Sequence, residues 1–129
     1  MKLKTIMLWL CALTAASVMG SAGVGKILST EGNVFIFSQL GMEPFGRYLV
    51  GLIEITAALL LLHPAYSAMG ALLTIGTMCG AIIAHATYLG FNVQGDGGMH
   101  IMLLSTVVLS AGIVLVARRK TLPIIGETL

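Results

Sequence analysis

Apolar residues run through the chain in four long blocks, at about 5–25, 47–62, 65–89 and 99–117, and polar residues gather between them. A hydrocarbon core about 30 Å thick is crossed by a helix rising about 1.5 Å per residue. The pattern therefore predicts four membrane-spanning helices, an all-α integral membrane four-helix bundle, with 1–129 as a single transmembrane domain. Between the first two blocks, Ile27 to Gly46 is too long for a plain hairpin and too apolar for a solvated loop, especially at Val34-Phe35-Ile36-Phe37. Asn33 is a helix-capping residue, Gly41 a helix terminator, and Pro44 belongs in the first turn of a new helix. A short interfacial or re-entrant helix over the mouth of the bundle is expected there.

Helical spacing sorts the polar residues onto faces. In the second block, steps of three and four place Arg47, Gly51, Glu54, Ala58 and Leu61 together, with a carboxylate amid apolar and small residues. A charged group at the centre of a membrane helix costs about 2.5 to 3.5 kcal/mol on insertion scales, so Glu54 needs a partner, a proton or water. In the third block Ser67, Gly70, Thr74, Thr77, Ala81, His85 and Tyr88 form a polar stripe, and Gly76, Gly80 and Ala84 a separate small-residue ridge suited to packing. Bonding of the threonines to their own helix carbonyls accounts for most of that stripe. His85 is not explained this way. The first block carries a comparable ridge at Ala12, Ala16, Gly20 and Gly23.

Depth brings these residues together. The second helix descends from the side to which the third rises; Glu54 lies roughly 10 Å below Arg47 and His85 roughly 7 Å below Gly90. Lys26 closes the first helix at the same side, where it either snorkels to the interface, the favoured reading, or turns inward to a carboxylate. If the three faces converge, Lys26, Glu54 and His85 form a polar cluster near the outer mouth, and they are the candidate catalytic residues. His100 opens the fourth helix nearby, but no ligand-spacing motif accompanies it, and no metal is expected. His63, beside Pro64, reads as a turn residue.

Composition then fixes the class. The 129 residues are 57% hydrophobic and 9% charged, with a mean hydropathy of +1.00, more apolar surface than a water-soluble globule can hide. A net charge of +2 gives no reason to expect nucleic acid. Its placement is informative: Lys2, Lys4, Arg118, Arg119 and Lys120 sit at the two chain ends, which the positive-inside rule assigns to the cytoplasm. A cleaved signal peptide ending near Ser21-Ala22 is the alternative reading of the amino end. Cys11 and Cys79 fall at depths about 10 Å apart, beyond disulfide reach, and read as small buried hydrophobes. The tail after Lys120 reads as unstructured.

The Gly-Val-Gly-Lys exit at Gly23 to Lys26, the aromatic connection after it, Gly51-Leu-Ile-Glu54 and the third helix with His85 resemble, in that order, the DoxX and DoxX-like family of small four-helix membrane proteins, from about Ile6 to Val116. The fourth helix runs straight into Ala117-Arg118-Arg119-Lys120, without the glycine-rich extension and Ser-Leu-Asp type ending of many DoxX proteins, and so looks like the DoxX-like branch. The resemblance implies a multi-pass protein of the bacterial inner membrane associated with redox assemblies; the family name comes from a thiosulfate:quinone oxidoreductase subunit. It maps the family's natural site candidates onto Lys26, Glu54 and His85.

Together these readings lead to a membrane subunit of a quinone- or thiol-linked redox system, with a quinone as the implied cofactor, nothing covalently bound, and a membrane or membrane-associated protein as partner beside the lipid bilayer. A homo-oligomer is compatible with the sequence. The alternative is a non-enzymatic scaffold or chaperone-like assembly factor in which the polar cluster sets helix register. A carrier is a third reading, against which the unbroken helices argue.

Overall fold

The computed structural model describes residues 2–129. Five α-helices follow one another: α1 Leu3–Ile27, α2 Glu31–Gln39, α3 Phe45–Leu62, α4 Ser67–Ala84 and α5 Met99–Arg118. Four of these elements, with α4 extended through Leu89 and α5 through Thr121, are long and apolar enough to cross a membrane. No strand occurs among the described residues.

The helices stop where the sequence removes their means of continuing. Pro44 stands immediately before α3, and Pro64, which has no N–H to donate, comes after its last turn at His63. At the end of α2, Gly41 takes a φ of +68°, open to glycine without strain. Thr30, rather than Asn33, precedes α2; the Asn33 amide instead donates to Thr30 Oγ1 at 2.7 Å. Asp96 organises the entry to α5: its carboxylate accepts from the backbone N–H groups of Gly98 and His100, each at 2.9 Å, and of Val93 at 3.1 Å.

In the bundle, α1 packs against α3 and α5, and α4 packs against the same two. The shared core is built from small residues, among them Ala12, Ala15, Ala57, Ala71 and Ala111, with Met19 and Leu61 filling between them. Small side chains let helix backbones approach closely, the usual source of association where lipid supplies no hydrophobic drive. A close approach joins α1 to α3: a Cβ on Gly23 would lie 2.8 Å from the Gly51 carbonyl oxygen, and a Cβ on Gly51 would lie 3.0 Å from Lys26 Cβ. At the opposite end of the bundle, Arg118 stands 5.1 Å over the Trp9 ring and donates to Ser67 Oγ at 2.9 Å, tying α5 to α1 and α4.

Three local expectations are corrected. After Ala84 the expected regular helix widens into a π turn over His85–Leu89; Tyr88, 78% exposed there, still lines one cavity with Thr77, Ala81 and His85. Cys79 is exposed on α4 rather than buried; both thiols are free. The tail carries short helical turns at Arg119–Thr121 and Gly126–Thr128 that touch each other.

Candidate functional site

Gly23 and Gly51 set the first part of the site. By removing two side chains where α1 crosses α3, they bring the last turn of α1 against the middle of α3, and Lys26 turns inward there rather than snorkelling. Its Nζ lies 2.9 Å from Glu54 Oε2. Glu54 is 2% exposed, and Lys26 is its one ion-pair partner among the described residues. Beyond that ammonium, no other donor among the described residues reaches the carboxylate. A carboxylate has about four acceptor sites, so Glu54 retains unused capacity in a setting where that is costly.

Arg47, about two turns nearer the mouth on α3, is 2% exposed and holds this arrangement from above. Its guanidinium donates to the backbone carbonyl of Lys26 and, by Nε and Nη2, to the Glu43 carboxylate at 2.7 to 2.9 Å. The Arg47 hydrogen bonds hold the Glu43 carboxyl below the usual carboxylate range. Arg47 also lies 4.4 Å over the Tyr48 ring. The carbonyl it grips belongs to the residue that pairs with Glu54, so the guanidinium helps fix where the ammonium sits.

His85 is 3% exposed at the start of the π turn. Its Nδ1 is 2.8 Å from the Gly90 carbonyl oxygen. A carbonyl only accepts, so Nδ1 carries the hydrogen, and Nε2 is the ring nitrogen left for another partner. The ring of His100, from the first turn of α5, lies 5.3 Å from that of His85, centroid to centroid, tilted by 43°. No third His, Cys, Asp or Glu joins these two in a metal-holding group among the described residues.

A cavity of about 930 Å³ connects the two halves of the site. Lys26, Glu54, His85 and His100 all line it, α2 contributes Phe37 to its wall, and most of the remaining lining is apolar. His85 shares this space with Glu54 without an ion-pair contact to it among the described residues. Lys26 and Glu54 are therefore brought together directly, while His85 joins them across the cavity and takes His100 as its neighbour.

A family model described as DoxX-like matches residues 9–110. The chain belongs to the DoxX-like family. No curated protein and no solved structure matches it. With four candidate spans, this DoxX-like chain is a multi-pass membrane protein.

Three features in and around the candidate site escape a reading of the sequence alone. Glu43 and Arg47 stand four residues apart, a spacing at which ion pairs form on a helix, and that is the one local signal for their link. Asp96, two residues before Gly98 at the head of an apolar block, carries the signal of a helix-capping acid. The coupling of Arg47 to the Lys26 carbonyl joins positions 21 apart in the chain and has no local signature.

Proposed function

We propose that this DoxX-like protein is a membrane subunit of a quinone- or thiol-linked redox system, with the Lys26–Glu54 pair and His85 forming its ligand site. The observation that carries this reading is the buried, incompletely satisfied carboxylate of Glu54 in the wall of a largely apolar cavity that also holds two imidazoles. Reduction of a quinone takes up two electrons and two protons. Glu54 and His85 would supply or accept the protons, Lys26 would offset the carboxylate charge, and the electrons would come from a partner protein or a thiol substrate. Lys2, Lys4 and Arg118 to Lys120 lie toward one end of the bundle, and the positive-inside rule assigns that end to the cytoplasm of a bacterial inner membrane, with the site near the outer face.

The test is purification of the native chain and Glu54→Gln in parallel in mild detergent, with mass spectrometry of the small molecules that accompany each. A quinone present in stoichiometric amount on the native chain and lost from the variant is the expected result. Equal quinone on both, or none on the native chain, contradicts the reading.

A scaffold role is the second reading. The Lys26–Glu54 ion pair and the Arg47 bond to the Lys26 carbonyl both join α1 to α3, and such buried polar links set helix register in some proteins. In that case Glu54→Gln disturbs partner assembly and no small molecule is lost. Normal assembly by that variant removes the register idea.

A further inference from the structure

On α4, Gly70 and Ala71 pack into the bundle, but Gly76 and Gly80 do not. Gly76 and Gly80 are exposed, and a Cβ on either would meet nothing within 4 Å. Both nevertheless line the same cavity as Glu54, together with Leu72 and Ile83, which are 50% and 62% exposed. These residues belong to the span Ser67–Leu89, so the cavity has an open flank on the part of the surface that faces lipid. Behind that flank stands a carboxylate that is almost wholly buried and has unused acceptor capacity.

We propose that Gly76 and Gly80 form a lateral portal through which a membrane-soluble molecule with an apolar tail and a hydroxyl-bearing head enters from the bilayer to bind at Lys26 and Glu54. The inference rests on reading the cavity as a ligand site and adds the route and the head-group chemistry. The head is set by hydrogen-bond polarity. Glu54 can only accept and Lys26 can only donate. A hydroxyl satisfies both at once, giving its hydrogen to the carboxylate and taking one from the ammonium. An ether oxygen, or a quinone carbonyl before its reduction to the quinol hydroxyl, takes a hydrogen from Lys26 but leaves Glu54 as unsatisfied as before. His85, with Nδ1 committed to the Gly90 carbonyl, offers a second acceptor to a second hydroxyl. The tail is set by the lining, which is predominantly apolar along α4 and α2.

The portal arises from the missing side chains. A leucine at Gly80 or Gly76 would extend into space the protein leaves empty, so it would narrow the flank without displacing a neighbour. Gly112 on α5 also has no atom within 4 Å of its built Cβ and lines a separate groove, with Val108 and Ile113, which makes Gly112→Leu the matched control.

The experiment measures binding of an alkylresorcinol and of its dimethyl ether to the full chain in lipid nanodiscs, for the native protein, Gly80→Leu, Gly76→Leu and Gly112→Leu, with thermal unfolding recorded for each. The two probes share ring and tail and differ in methyl groups that replace the hydroxyl hydrogens, so loss of hydrogen bonds to charged groups weakens the ether by about tenfold or more. The native chain and Gly112→Leu are expected to bind the resorcinol, and the two portal variants to lose it while unfolding at or above the native temperature. Equal binding of the ether, unchanged binding by both portal variants, or no binding of the resorcinol overturns the proposal. A meta-dihydroxy ring forms no quinone, so this result is separable from the redox reading. A bound resorcinol without a copurifying quinone keeps the portal and removes the quinone role.

Discussion

The Lys26 ammonium reaches the Glu54 carboxylate at 2.9 Å across a tight helix crossing, where Gly23 and Gly51 face each other. The chain keeps both charges inside the membrane span because each is the other's partner. Removing one of a buried pair strands its mate at a cost of about 3 to 5 kcal/mol, while removing both is often neutral. Lys26→Met alone is therefore expected to lower the unfolding temperature strongly, and Lys26→Met with Glu54→Gln to recover most of it. Thermal unfolding in detergent checks this; a double variant no better than the worse single one would show that the pair does not act as a unit.

The same crossing separates two kinds of glycine. At Gly23 the added methyl of alanine would meet the Gly51 carbonyl oxygen at 2.8 Å, so the backbones must part, and overpacking of this kind costs about 1 to 3 kcal/mol. At Gly76 the same methyl meets nothing within 4 Å and brings only alanine's better helix propensity, about 1 kcal/mol. Opposite changes in unfolding temperature are expected for Gly23→Ala and Gly76→Ala. Matching losses at both would mean that the face of Gly76 is covered in the membrane.

Asp96 sits outside the spans, and three backbone N–H groups, His100's foremost, hold its carboxyl below the usual range. The folded state thus binds this proton more weakly than the unfolded chain. The resulting stability is fully present above the unfolded value of about 3.9 and is lost as the pH falls through the lowered folded value. Asp96→Asn should be less stable than the native chain near neutrality, with the gap closing as the pH drops below about 4. A gap that stays constant into acid would show that the carboxylate charge contributes nothing at the head of α5.

The cysteines make an accessibility test. Cys79 is exposed on α4 and Cys11 is half-buried on α1, and both are free. A lipid-soluble maleimide should modify Cys79 faster than Cys11, and oxidant should leave gel mobility of the monomer unchanged. An intramolecular disulfide would contradict the helix arrangement, since it requires Cα atoms within about 7 Å.

The spans and the short helix over the mouth are legible in the sequence because each rests on chemistry local to its own segment: long apolar runs, the Gly41 terminator, and prolines at 44 and 64. Depth along the helices also brings Lys26 near Glu54, but it favours a snorkelling lysine. The cause of the inward turn is not local. Arg47 grips the Lys26 carbonyl, and two glycines 28 positions apart let the helices meet. Periodicity likewise gathers Gly76, Gly80 and Ala84 onto one face without saying whether anything lies against it; that face lines a cavity. A regular 3.6-residue count also gives no sign of the π turn at His85.

The most direct test of the ligand site is photo-crosslinking of the native chain and Glu54→Gln in membranes with an azido-quinone held reduced as its quinol, with peptide mapping of the adducts. Adducts on cavity-lining positions of α4 between Leu72 and Ile83 and of α2 near Phe37, reduced in the variant, are the result expected. Adducts confined to the outer groove of α5 around Val108 and Ile113, or cavity labelling that Glu54→Gln leaves unchanged, would contradict it.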